Sequence, residues 1–272
     1  MTAQMREAQE LLAARLDDYL ARAARGSIAV SRFLTPGEQK ILDRLLTARG
    51  ASDRALFWGG YAGAERKCLF VLPEFYADFP ELMPPPGTDP SAVIADDEAS
   101  AVAAVRISGS GFRKLSHRDH LGSLLGMGLE RDAIGDIALQ SDYEAVVFCS
   151  RHLVPFLLST LQKVAADTVK CREYTPDEQF TDGRKYRPIT DTVASPRLDC
   201  VVAALTNLSR EDAQNAVRSG LVEVDFEPEE RTDRSLTAPA TVSVRGYGRY
   251  ILRSFDGETR KGRIRLRADQ LI

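Results

Sequence analysis

Four cysteines, one tryptophan, three histidines and no surplus of positive charge are what this chain of 272 residues has little of. Cys68, Cys149, Cys171 and Cys200 lie far apart with no Cys-x-x-Cys pair. Reduced thiols are therefore expected, with no disulfide framework and no structural metal. The longest apolar runs, FVLP from Phe70 and AVVFC from Ala145, fall far short of the roughly 20 residues needed to cross a bilayer. No contact with a membrane is expected. The N-terminus shows no basic patch, apolar core and small-residue cleavage site in succession, so a cytoplasmic location is expected. There is no strand–GxGxxG–helix unit and no P-loop, so nucleotide-dependent chemistry has no visible home and no cofactor is expected. A net charge of −3 excludes a generic polycation that coats nucleic acid. Any polyanionic partner has to be met by a local patch.

What is present reads as an α+β chain in three parts: an N-terminal α/β subdomain over 1–90, a central domain over 91–187 and a C-terminal domain over 188–272. Ala8, Leu12, Leu16, Tyr19 and Leu20 recur at helical spacing. Thr35-Pro36-Gly37-Glu38 forms a capping box ahead of Ile41, Leu42, Leu45 and Leu46, and Gly50 is placed to stop that helix. Two short strand-like runs, Ala55 to Trp58 and Lys67 to Leu72, flank WGGYAGAER, and the proline cluster FPELMPPPGTDP then marks a loop. From Ala103 to Tyr174 the runs AAVRIS, HRDHLGSLLGMG, GDIALQ, YEAVVFCS, RHLVPFLLSTLQKV and DTVKCREY follow a βαββαβ order, the ferredoxin-like (RRM-like) arrangement. Both faces of YEAVVFCS are apolar, which predicts packing on both sides rather than an open platform for stacked bases.

The C-terminal part carries the patch that the charge balance demands. Ser195-Pro196 reads as a helix start, with Leu198, Val201, Val202 and Leu205 on one face and Asn207-Leu208-Ser209 as the break. Ser209 caps a second helix, and Gly220 ends it. Arg210, Gln214 and Arg218 fall at i, i+4 and i+8, one exposed stripe. Arginine forks bind phosphate, and a glutamine between them can reach ribose or base edges. Arg245, Tyr247 and Arg249 in RGYGR, inside a β region from Thr241 to Tyr250, add two forks around a stackable ring. From Ala240 to Ile272 there are eight Lys/Arg against three Asp/Glu. Taken singly, the stripe reads more often as solvated helix surface; the RGYGR segment and the local excess of Lys/Arg around it move the balance toward RNA.

Arg197-Leu198-Asp199, Leu208-Ser209-Arg210, Ala213-Gln214, GLVEV from Gly220 and VRGYGR from Val244 together resemble the small RNA-binding domain named after ribosomal protein S4. His117-Arg118-Asp119-His120-Leu121-Gly122, LLGMGL from Leu124 with Arg131, IGDI from Ile134, TPGEQKIL and FWGGYAGAER resemble the YlmH family, and the resemblance covers nearly the whole chain. It implies a bacterial RNA-binding protein linked to cell division, not an enzyme, that contacts the large ribosomal subunit and rRNA or tRNA in quality control of stalled translation. A monomer is expected. The candidate RNA-binding residues are Arg197, Ser209, Arg210, Gln214, Arg218, Arg245, Tyr247 and Arg249. Relative to such domains, Asp225 stands where an asparagine is expected and Pro239-Ala240 where Gly-Asp is usual.

Two other classes compete. An RLD triplet also occurs in pseudouridine synthases, with the aspartate as nucleophile, so an RNA-modifying enzyme using Asp199 is an alternative; Cys200-Val201-Val202-Ala203 continues an apolar helix instead of that enzyme motif. A division-associated protein scaffold is the other. His117 and His120 lack further ligands nearby for zinc, so a surface or capping role is expected. Gly109-Ser110-Gly111-Phe112-Arg113-Lys114 precedes a helix start and could cradle a phosphate. Arg113, Lys114 and Arg118 form a second candidate RNA surface.

Overall fold

A computed structural model of the protein describes residues 3–85, 87–92, 94, 97–177 and 179–272. Pro86, within the proline cluster, lies outside the described residues. The chain is mixed α+β with several antiparallel sheets and forms two compact units, Met1–Gly183 and Arg184–Ile272.

In the first unit, α1 (Ala3–Ala23) buries Leu12 and Leu16, β1 (Ala29–Val30) follows, and α2 (Pro36–Ala48) buries Leu42 and Leu46. The capping box at α2 is formed: Thr35 accepts from the Glu38 amide and the Glu38 side chain accepts from the Thr35 amide. Strands β2 (Ala55–Trp58) and β3 (Cys68–Val71) complete a sheet of order β1-β3-β2, and the one-turn α3 (Phe75–Asp78) leads onward.

Next come β4 (Val102–Ser108), α4 (His117–Gly126), β5 (Ile134–Leu139), β6 (Glu144–Ser150), α5 (Val154–Thr160), the small hairpin β7 (Lys163–Val164) and β8 (Asp167–Thr168), and β9 (Lys170–Tyr174). Their antiparallel sheet runs β5-β6-β4-β9. One face sets Val105, Ile107, Ala145 and Val147 against Leu124 of α4 and Leu157 of α5. Ala104, Val146 and Phe148 on the other face meet Trp58, Tyr61 and Phe70. Ala145–Cys149 is thus buried on both sides, as its continuous apolar character predicts. Gly60 sits at φ +101, and a Cβ there would lie 2.1 Å from the Phe148 ring. Asp136 on β5 holds the WGGYAGAER loop by accepting from Tyr61 Oη at 2.8 Å and the Glu65 and Arg66 amides at 2.7 and 3.1 Å.

Two expectations fail here. The run RHLVPFLLSTLQKV opens as a 3-10 turn over Arg151–Leu153 and is α-helical only over Val154–Thr160, where Pro155 suits the first turn and Gln162 turns away to accept from the Val169 amide at 3.0 Å. His120 is fully buried instead of capping or on the surface; it follows the Ser116 cap by one helical turn and so faces the core side of α4.

The second unit contains β10 (Tyr186–Val193), α6 (Leu198–Thr206), α7 (Arg210–Arg218), β11 (Val222–Val224), β12 (Glu227–Pro228), β13 (Ala240–Val244), β14 (Gly248–Glu258) and β15 (Ile264–Leu271). The sheet order is β10-β15-β14-β13-β11-β12. Val222, Val224, Val242, Val244, Tyr250, Leu252, Leu266 and Ala268 form one core with Leu198, Val201, Val202, Leu205, Ala213 and Val217 of the helices. The Lys/Arg-rich C-terminal residues are therefore spread over strands β14 and β15 and the turn between them, and β10 pairs with β15.

Helix α6 begins at Leu198 with Arg197 at the cap, not at Ser195-Pro196. A non-local loop is the cause: the Leu198 and Asp199 amides donate to the carbonyls of Arg234 and Thr232 at 2.8 and 3.1 Å. The first two amides of the helix are thus met by backbone carbonyls, with no side-chain cap from Arg197. Asn207 in the left-handed region ends α6, Ser209 caps α7 by accepting from the Asp212 amide, and Gly220 at φ +68 follows α7. Asp225 takes the left-handed conformation at φ 51 and accepts from the Thr241 amide at 2.8 Å, so it serves where an asparagine was expected.

Candidate nucleic-acid interface

The helix pair is organised around a carboxylate. Asp199, in the first turn of α6, is fully buried. Its Oδ1 accepts from Arg197 Nε at 3.1 Å and from the Cys200 amide at 2.9 Å. Its Oδ2 accepts from Arg197 Nη2 at 3.2 Å, Gln214 Nε2 at 2.8 Å and Arg210 Nη2 at 3.4 Å. Burial pushes this carboxyl up, but hydrogen bonds from Arg197 and Gln214 and the Arg197 charge outweigh it and hold the group well below the usual carboxylate range. Two guanidiniums share one anion, so the cluster stays cationic.

The arginines remain usable. Arg197 and Arg210 side chains are 39% and 58% exposed, and each fork has five N–H donors of which Asp199 takes one or two. The inner edge is fixed and the outer edge faces water, which is how a phosphate site is pre-organised. Arg218, two turns beyond Arg210, is exposed in the last turn of α7. The β13–β14 hairpin meets the end of this helix. The Arg245 amide donates to the Leu221 carbonyl at 2.9 Å, three residues past Arg218, and Arg245 is exposed. Tyr247 leaves its ring exposed while its carbonyl accepts from Tyr250 Oη at 3.0 Å and Gln270 Nε2 at 3.1 Å.

Two expected contacts are placed differently. Ser209 both accepts from the Asp212 amide and donates to Asp212 Oδ2 at 2.7 Å, so its hydroxyl is committed to the cap. Arg249 pairs across strands with Ser243, between the buried positions Val244 and Tyr250 on neighbouring register steps. It therefore lies on the sheet face away from the helices, with its guanidinium 5.1 Å from the Phe226 ring centre. The links from Asp199 to residues 11 and 15 positions further along the chain have no local signal in the sequence. A buried carboxylate with both oxygens engaged is also the reverse of an accessible nucleophile.

In the first unit, Arg113 and Arg118 are exposed, and Lys114 Nζ is 2.6 Å from Asp142. The phosphate cradle is filled by protein: the Gly109 amide donates to the Tyr143 carbonyl at 2.8 Å and the Ser110 amide to Asp167 at 3.0 Å.

The sequence matches the family described as "Putative RNA-binding domain in YlmH" over residues 98–178. It is also 31% identical over 235 residues to "Ribosome-associated protein quality control protein P2" of Bacillus subtilis (strain 168), covering 86% of this chain and 84% of that one. The chain belongs to the YlmH family. A solved "Cell division protein ylmH" from Streptococcus pneumoniae aligns at 15% identity over 64% of this chain and 93% of that one, with a TM-score of 0.46, too loose a likeness to carry an argument. The YlmH RNA-binding match falls on the central sheet, not on the C-terminal helix pair that sequence reading put foremost, and it contains Arg113, Lys114 and Arg118.

Proposed function

We propose that this YlmH-family chain is a non-enzymatic, monomeric, cytoplasmic RNA-binding protein that acts on rRNA or tRNA at the large ribosomal subunit, in quality control of stalled translation. The observation that carries the reading is the gathering of Arg197, Arg210 and Gln214 on buried Asp199, with Arg218 and Arg245 following along the same helix and its adjoining hairpin. Those donors sit on rigid elements and open outward, as recognition of a phosphate backbone requires. The name of the Bacillus subtilis relative supports the ribosomal setting.

On this reading residues 188–272 are an S4-like domain, 91–187 a ferredoxin-like (RRM-like) domain and 1–90 a supporting subdomain. The strand order β9-β4-β6-β5 with helices after the first and third strands in sequence supports the second assignment. Arg113, Lys114 and Arg118 form the second RNA surface. Co-sedimentation with large ribosomal subunits tests the proposal. The wild-type chain pellets with the subunit and the folded Arg210→Glu/Arg218→Glu/Arg245→Glu chain does not; equal pelleting of both refutes it.

A further inference from the structure

Phe112 is 97% exposed, whereas the next most exposed large hydrophobic side chain among the described residues, Ile272, reaches 66%. Scattered apolar residues on a surface are ordinary, but a ring held entirely in water forgoes all the gain of burial. Nor is the loop that carries it loose. The Gly109 amide is tied to the Tyr143 carbonyl, Ser110 to Asp167, and the Leu115 amide to the Asp142 carbonyl at 2.8 Å, while the Leu115 side chain is buried. Gly111, at φ +87, makes the turn, and the Phe112 amide donates back to Ser110 Oγ at 3.3 Å. Between these anchors the chain has nothing to do with the ring but present it.

Its neighbours identify the occupant. Arg113, next in the chain, and Arg118, in the first turn of α4, are exposed; neither is within ion-pair distance of a carboxylate among the described residues, although Arg113 lies in the field of Asp119 and Asp167. An aromatic face with exposed guanidiniums close by in the chain suits a nucleotide, whose base stacks while its phosphates meet the cations. An apolar protein pocket would accept the ring but would gain nothing from the cations. We infer that Phe112 is a stacking platform for an unpaired RNA base, with Arg113 and Arg118 on the flanking phosphates. This rests on the reading that the chain binds RNA, and adds a ring outside the residues so far assigned to it.

The test is fluorescence anisotropy of the full chain on an RNA hairpin with an unpaired loop, and on the matching duplex. Phe112→Ala is expected to weaken hairpin binding about ten-fold, within the range for loss of one base–aromatic stack. The salt slope should stay unchanged, because no charge is removed. Phe112→Trp is expected to retain the affinity, with its indole emission quenched by the hairpin more than by the duplex. Phe112→Leu, apolar but not planar, should be as weak as Phe112→Ala. Wild-type affinity in the Phe112→Ala chain, or full rescue by leucine, overturns the inference. So does loss of ribosome association with unchanged RNA affinity, which would make the ring a protein contact. If Arg210→Glu/Arg218→Glu abolishes binding and Phe112→Ala does not, only this inference fails; a wild-type chain that binds no RNA sinks the functional reading as well.

Discussion

Asp199→Asn separates two ways in which the helix arginines could act. The substitution keeps the side chain's shape and removes its charge, and it turns an NH2 group toward a guanidinium where an oxygen had accepted. Deleting one partner of a buried ion pair costs about 3–5 kcal/mol. Arg197 and Arg210 are part exposed and can rehydrate, so about 2 kcal/mol of destabilisation is expected for the C-terminal unit. Urea denaturation followed by circular dichroism measures it. Binding discriminates further. If the arginines act only through net charge, removing an anion from beneath them strengthens RNA binding. If Asp199 holds them in position, binding weakens by about ten-fold, roughly 1.4 kcal/mol, although the net charge has risen by one. Tighter binding by the asparagine variant would refute the positioning argument. The variant should also lose one source of acid sensitivity. A carboxyl whose folded pKa lies below its unfolded value of about 3.9 contributes stability that is full above that value and lost as pH falls below it.

His120 supplies an opposite kind of titration. Burial, partly offset by Asp119, pushes this imidazole down to about 4, and neither ring nitrogen has a hydrogen-bond partner. The unfolded chain takes up its proton near 6.5, so stability is full above that pH and falls by about 3 kcal/mol on the way to pH 4. Denaturation midpoints of wild type and His120→Leu across that window should diverge, and parallel curves would show the site to be hydrated. Gly60→Ala forces a Cβ into the Phe148 ring at a left-handed φ, so a loss of about 2–3 kcal/mol is expected. Gly26, at φ +88 with nothing within 4 Å, is the control, where alanine should cost about 1 kcal/mol; equal losses at both would contradict the packing argument.

Local chemistry was legible where structure answers to neighbouring residues. The Thr35–Glu38 box, the Ser209 cap, Gly220 beyond α7, and the two-sided burial of Ala145–Cys149 all follow from spacing and side-chain type. Non-local partners defeated the rest. The start of α6 is set by carbonyls of Thr232 and Arg234, which no pattern around Ser195 could show. Strand β15 hides its period of two, Ile264, Leu266 and Ala268, among exposed arginines that drew attention as charge. The helix stripe was visible at i, i+4, i+8, but the carboxylate that organises it lies on the other helix. Arg249 shows the limit of reading RGYGR as a unit, since alternation along β14 sends it to the opposite face from the helices.

The salt dependence of RNA affinity tests the central claim most directly, measured for the wild-type chain and for the folded Arg210→Glu/Arg218→Glu/Arg245→Glu chain. Each lost phosphate contact should flatten the slope of log affinity against log salt by about one, so the account predicts a fall of about three together with a large loss of affinity. An unchanged slope in the substituted chain would mean that the polyanion is held elsewhere.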